Sequence, residues 1–139
     1  HEIKARFKNS YNNYRKFTII RNPYDKMVSW YFYLKRNLGN DYNVIEFNKW
    51  IKDPSKFWHA NDPISYLKTQ ESWIDDTVEI IKFENLNNEL NKFFNKKINL
   101  PITNKSNHDH YLDYYNEESL SIIYNKYKED FKRFNYKKL

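Results

Sequence analysis

Arg21 and Ser29 have the side chains whose surroundings most clearly invite chemistry. They belong to the segment Phe17-Thr-Ile-Ile-Arg-Asn-Pro-Tyr-Asp-Lys-Met-Val-Ser29. The run Phe17 to Ile20 is short, apolar and rich in β-branched residues, as expected of a buried strand. Arg21 falls where that strand ends. Asn22 is a good N-cap and Pro23 suits the first helical position, so a helix should start at once. A guanidinium is thereby set at the carboxyl end of a strand, with a hydroxyl about two turns into the helix. Ligands of open α/β sheets bind at that edge, and a helix N-terminus beside a cation favours an anion. The predicted chemistry is phosphate or sulfate binding. The alternative for Arg21 is an ion pair with Asp25; for Ser29 it is a bond back to a helix carbonyl.

Other side chains of the right type make weaker patterns. His108-Asp109-His110 offers ligand groups at close spacing, with His59 elsewhere. Zinc sites bring three or four ligands at defined separations, and cysteine is absent, so the expectation is solvated loop histidines and no metal.

The elements that must hold these groups follow from hydrophobic periodicity. Residues 2 to 8 suit a short amphipathic helix with Ile3 and Phe7 on one face. Ser10 to Arg15 is a polar connector, followed by a strand over 16 to 21. A helix from Pro23 to about Arg36 should bury Tyr24, Val28, Tyr31 and Leu34, and Gly39-Asn40 ends it. Asn43 and Glu46 resemble a capping box opening a helix through Phe47, Trp50 and Ile51. Residues 53 to 66 are irregular, punctuated by Pro54 and Pro63. A second strand is expected over Thr77 to Phe83. Next comes a helix marked by Leu86, Leu90, Phe93 and Phe94, with Asn85 as its cap. After a loop from Ile98 to Tyr111, a last helix runs from about Glu117 to Phe131, carrying Leu120, Ile123, Tyr124 and Tyr127 on one stripe.

Strand-then-helix order points to an α/β fold with a small parallel sheet flanked by helices. No internal repeat or interior linker appears, so residues 1–139 read as a single domain. Two strands are few for a parallel sheet, which predicts a sheet that is either incomplete or completed by another segment.

Composition bounds the rest. The chain has 139 residues, 40% hydrophobic and 19% aromatic, led by 13 Tyr and 10 Phe, which argues for a packed core rather than disorder. A net charge of +6 suits an acidic partner, such as nucleic acid, an anionic glycan or a phosphorylated nucleotide, although on charge alone lysine-rich solubility is the first explanation. Without cysteine, disulfide and thiolate chemistry are excluded. No apolar run reaches membrane-spanning length.

The segment from Phe17 to Ser29 resembles the 3′-phosphate-binding segment of carbohydrate sulfotransferases, the Golgi-type family with bacterial relatives. Further segments follow in that family's order. His1 with Ala5 is similar to its His-x-x-Ala helix. Gln70-Glu-Ser-Trp-Ile74 and Ile81-Lys-Phe-Glu-Asn-Leu86 resemble its later strand and Phe-Glu-Asn-Leu turn. Leu100-Pro-Ile-Thr-Asn-Lys-Ser106, Tyr111, Tyr114, Tyr115 and Tyr127-Lys-Glu-Asp-Phe131 are similar to its late loop and Tyr-rich helix.

The resemblance implies a P-loop-like sulfotransferase fold, of which residues 1–139 are the C-terminal portion, incomplete at the N-terminus. It also implies transfer of a sulfuryl group from 3′-phosphoadenosine 5′-phosphosulfate to a hydroxyl of a carbohydrate or similar acceptor. Adenosine 3′,5′-bisphosphate would be the second product, and no metal is needed. Arg21 and Ser29 would hold the 3′-phosphate, a role that suits a bidentate guanidinium and a hydroxyl donor. Lys105 and Ser106 match the loop over the nucleotide, and His1 matches a histidine near the acceptor, where a neutral imidazole suits a general base.

Trp73 and Tyr111 are candidates to stack on adenine, with a core role the stronger expectation for both. Glu84 should bond to the amides of the following helix. The family's 5′-phosphosulfate loop is expected upstream of His1, since Gly39 is the only glycine and no Walker A pattern is present. A non-catalytic basic nucleotide- or nucleic-acid-binding module is the second reading. Against it, charges of both signs are mixed and no dense basic run occurs before Lys137-Lys138. The compartment stays open: cytoplasm for a bacterial or viral source, Golgi lumen for a eukaryotic one.

Overall fold

A computed structural model describes residues 10–38, 46–54, 67–101 and 108–139. Along the chain run β1 (Phe17–Ile20), α1 (Pro23–Leu38), α2 (Phe47–Trp50), β2 (Glu79–Lys82), α3 (Leu86–Phe94), α4 (Glu117–Lys126) and α5 (Lys128–Arg133). Single 3-10 turns lie at Tyr11–Asn13, Glu71–Trp73, Phe83–Asn85 and Tyr111–Tyr114. The chain is of mixed α/β class, with β1 and β2 forming a two-stranded parallel sheet. Two compact units are drawn from it: His1–Ile20 with Gln70–Leu100, and Arg21–Thr69 with Pro101–Leu139.

The smaller unit is built on the sheet. Phe17 is in register with Glu79 and Ile20 with Lys82, and Glu79 N–H donates to the Lys16 carbonyl at 2.8 Å. Ile81, Leu90 and Phe93 form the buried cluster where α3 covers one face. Arg15 ties strand to helix. Its Nε and Nη2 donate to the two oxygens of Glu79 at 2.6 and 2.9 Å, Nη1 donates to the Phe93 carbonyl, and the guanidinium lies 4.0 Å from the Phe93 ring centre.

β2 is shorter than the expected 77 to 83 because Asp75 captures its start. The Asp75 carboxylate accepts from Thr77 N–H at 2.8 Å and holds residues 75 to 77 in a turn. Asn85 precedes α3 as expected. Its side chain, however, accepts from Asn88 Nδ2 at 2.8 Å instead of from a backbone amide. The Glu89 carboxylate accepts from Lys82 N–H at 2.7 Å and so ties α3 to the end of β2. Asn95 closes α3 in the left-handed region at φ 49°, a position that asparagine tolerates in place of glycine.

The larger unit is organised by α1. Tyr24, Met27, Val28, Tyr31 and Leu34 recur at helical spacing and are buried against Phe47, Trp50 and Ile51 and against Ile123, Tyr127 and Phe131 of the C-terminal helices. The expected last helix is divided at Tyr127, whose φ of −109° and ψ of 24° separate α4 from α5. The hydrogen-bond ladder survives the bend, since Tyr127 N–H donates to Ile123 and Phe131 N–H to Tyr127. The bend accompanies burial of the phenol, whose hydroxyl contacts Met27 Sδ and donates to the Leu67 carbonyl. α4 opens on a capping box that the sequence reading missed: Asn116 and Ser119 exchange bonds of 2.8 and 2.9 Å. The box proposed at Asn43 lies partly outside the described residues, and Glu46 precedes α2 without a side-chain cap. Among the described residues no helix is long and apolar enough to cross a membrane.

Three outcomes test this description. Trp50 is fully buried, so Trp50→Ala should cost about 3–5 kcal/mol in chemical denaturation, whereas Trp73→Ala, at a ring 58% exposed, should change stability by no more than about 0.5 kcal/mol. Equal costs would contradict the core assignment. Asn116→Ala should remove about 1 kcal/mol through loss of the cap. Finally, the hydrogen bond from Arg15 holds the Glu79 carboxyl below its ordinary 4.5. Its contribution is present at neutral pH and is lost as pH falls through that lowered value. An NMR titration should find the Glu79 carboxyl below 4.5, returning to 4.5 in Arg15→Ala; an unchanged midpoint would refute the pairing.

Candidate functional site

The amino end of α1 is built as its sequence requires. Pro23 takes the first helical position, where the missing N–H costs nothing. The Asn22 side chain accepts from Tyr24 N–H at 3.0 Å, and the Asn22 carbonyl accepts from Lys26 N–H at 2.8 Å. A third restraint comes from Tyr115, whose hydroxyl donates to the Tyr24 carbonyl at 2.8 Å while the two rings meet edge to face at 5.4 Å. Burial pushes the Tyr115 phenol well above its ordinary value, so it is a fixed neutral donor.

Arg21 stands just ahead of this helix start. Its Nε donates to Asp25 Oδ2 at 2.5 Å and its Nη2 to Asp25 Oδ1 at 2.9 Å. The side chains are 24% and 16% exposed, so the pair is largely withdrawn from water. The ion-pair alternative raised from the sequence is therefore present. The pair engages one edge of the guanidinium, through Nε and Nη2. Ser29 lies four residues beyond Asp25 and is half-buried. Asp25 and Ser29, four residues apart, share one side of α1 away from the buried stripe, and Arg21 reaches Asp25 from just ahead of the helix.

Lys26 adds a second cation on the first turn. Its Nζ donates to the Lys68 carbonyl at 3.2 Å and sits 5.2 Å from the Tyr127 ring centre. Burial lowers its pKa, and the nearby Asp130 opposes that shift. These contacts give Lys26 a structural job.

Of the residues proposed from the sequence, Ser29 is carried by α1 and Arg21 by the short turn that leads into it. His1, Lys105 and Ser106 lie outside the described residues, as do His59 and Gly39. Tyr111 is partly buried against the core of the larger unit, whereas Trp73 is an exposed ring on the Glu71–Trp73 turn, against the expected core role. His108 and His110 are engaged separately. His108 stacks on Phe32 at 5.0 Å, and His110 Nδ1 accepts from Leu112 N–H at 3.4 Å. Among the described residues no three His, Cys, Asp or Glu side chains form a metal-binding group. Asp25 is the member of the site whose importance the sequence understated, although its spacing of four from both Arg21 and Ser29 was the available signal.

No family model matches the chain, and no solved structure matches it. An uncharacterized protein of Archaeoglobus fulgidus is 32% identical over 97 residues, which cover 68% of this chain and 75% of that protein. The chain therefore belongs to the same protein family as this archaeal relative.

Proposed function

We propose that this chain carries the 3′-phosphate-binding part of a P-loop-like sulfotransferase. Its donor is 3′-phosphoadenosine 5′-phosphosulfate and its acceptor a hydroxyl of a carbohydrate or similar molecule. One observation supports the reading above the others: a half-buried guanidinium stands at the positive end of a 16-residue helix. A cation there opposes the helix dipole, an arrangement that stability does not favour and that an anionic ligand would relieve. The resemblance of the Phe17 to Ser29 segment to the sulfotransferase 3′-phosphate site names that anion.

In this reading Arg21 and Ser29 grip the ribose 3′-phosphate and so orient the nucleotide, leaving its sulfated 5′ end free to meet the acceptor. The acceptor oxygen forms a bond to sulfur as the bond from sulfur to the 5′-phosphate oxygen breaks. The acceptor proton passes to a base, for which His1 is the candidate, and the bisphosphate departs. Lys105 and Ser106 are assigned to the nucleotide on the same grounds. Positioning of this kind lowers the barrier by fixing the reacting groups in line.

Calorimetry with adenosine 3′,5′-bisphosphate tests the proposal. The wild-type chain should bind it, and Arg21→Ala should weaken binding by about 10- to 100-fold, the value of charge-assisted hydrogen bonds. Ser29→Ala should cost about 5- to 10-fold, as for one hydroxyl donor. Adenosine 5′-phosphate, which lacks the 3′-phosphate, should bind weakly and be indifferent to Arg21→Ala. A folded wild-type chain that ignores the bisphosphate would refute the reading. Single-stranded DNA binding with a steep salt slope, unaffected by the bisphosphate, would support the nucleic-acid alternative instead.

A further inference from the structure

The contact between Asp25 and Arg21 is closer and more directional than a helix-stabilising pair needs. Asp25 meets the guanidinium with both oxygens, at 2.5 and 2.9 Å, on the edge formed by Nε and Nη2. Two parallel bonds to one edge fix the plane of the guanidinium as well as its distance. An arginine otherwise has several freely rotating bonds and loses that freedom whenever it takes up one geometry.

Stability alone does not account for the arrangement. An aspartate in the first turn of α1 is favoured by the helix dipole whether or not an arginine is near it. Arg21 is the disfavoured member at that end. Arg21 thus depends on Asp25 more than Asp25 depends on Arg21. Ser29, one further turn along the same side, is held by the helix backbone and needs no such orientation.

We propose that Asp25 is a positioning residue. By clamping one edge of Arg21 it presets the guanidinium plane against which the 3′-phosphate and the Ser29 hydroxyl are brought together. This inference rests on the nucleotide-binding reading of the same site. It carries a consequence that runs opposite to simple electrostatics. Neutralising Asp25 makes the site more positive, which by charge alone would tighten a dianion. Loss of positioning instead weakens it.

The test is a double-mutant cycle by calorimetry with adenosine 3′,5′-bisphosphate, using wild type, Asp25→Asn, Arg21→Ala and the double variant, with thermal melts of each. Asp25→Asn should weaken binding about tenfold, in keeping with loss of a charge-assisted contact, and should cost less than about twofold when Arg21 is already alanine. Asp25→Glu, which keeps the charge but shifts the carboxylate, should recover part of the loss. If Asp25→Asn fails to fold, Asp25→Glu carries the same comparison, with any loss confined to the background containing Arg21.

Binding by Asp25→Asn as tight as wild type or tighter, while Arg21→Ala is weakened, would overturn the positioning role and leave the site intact. Equal losses in both backgrounds would overturn it too. A wild-type chain that does not bind the bisphosphate would instead remove the reading on which the inference stands.

Discussion

The larger unit depends on the burial of one side of α1. Tyr24, Met27, Val28, Tyr31 and Leu34 are all at most 3% exposed, and they give the core its continuous apolar stripe. A helix cannot bury that stripe without turning its other side outward. Asp25, Ser29, Tyr33 and Arg36 are the residues left there, half-buried or exposed. The same constraint that forms the core therefore aligns the polar residues of the candidate site, and Tyr115 pins the first turn so that the alignment does not fray. Core and site share one element, and a substitution that tilts α1 would be felt by both.

Electrostatics then gives that polar side its character. Arg21 is held where a helix dipole disfavours a cation, Asp25 neutralises it through two bonds, and Lys26 is engaged by the Lys68 carbonyl and the Tyr127 ring. Two cations and one anion leave a single positive charge at the start of α1. A site of this kind recognises an anion through the direction of its donors more than through bulk attraction. That distinction matters for a chain whose net charge is +6, because a diffuse positive field would attract any polyanion. The smaller unit uses the same device for another purpose: Arg15, paired with Glu79 and laid over Phe93, joins a strand to a helix.

Much of this was legible because it is local. The Asn22-Pro23 start, the stripe from Tyr24 to Leu34 and the two β-branched runs announced α1, β1 and β2, since capping and periodicity act over a few residues. What escaped was set by contacts distant in the chain or by competing side chains. Asp75 shortened β2 by capturing Thr77, and burial of the Tyr127 phenol beside Met27 and Leu67 accompanied the division of the last helix. With aromatic residues at 19% of the chain, ring content alone could not separate the exposed Trp73 from the buried Trp50. At the site, Arg21 and Ser29 were chosen for their own chemistry. Asp25 entered only as a rival explanation for Arg21.

The central claim is that the turn from Arg21 into α1 is a phosphate site. An amide chemical-shift map of the isotopically labelled chain during titration with adenosine 3′,5′-bisphosphate tests it most directly. The account predicts that the largest shifts fall on residues 21 to 29, Tyr24 and Ser29 included, and that adenosine 5′-phosphate leaves them nearly still. Shifts centred instead on Arg15, Glu79 and Lys92 of the smaller unit, or the same response to both nucleotides, would contradict it.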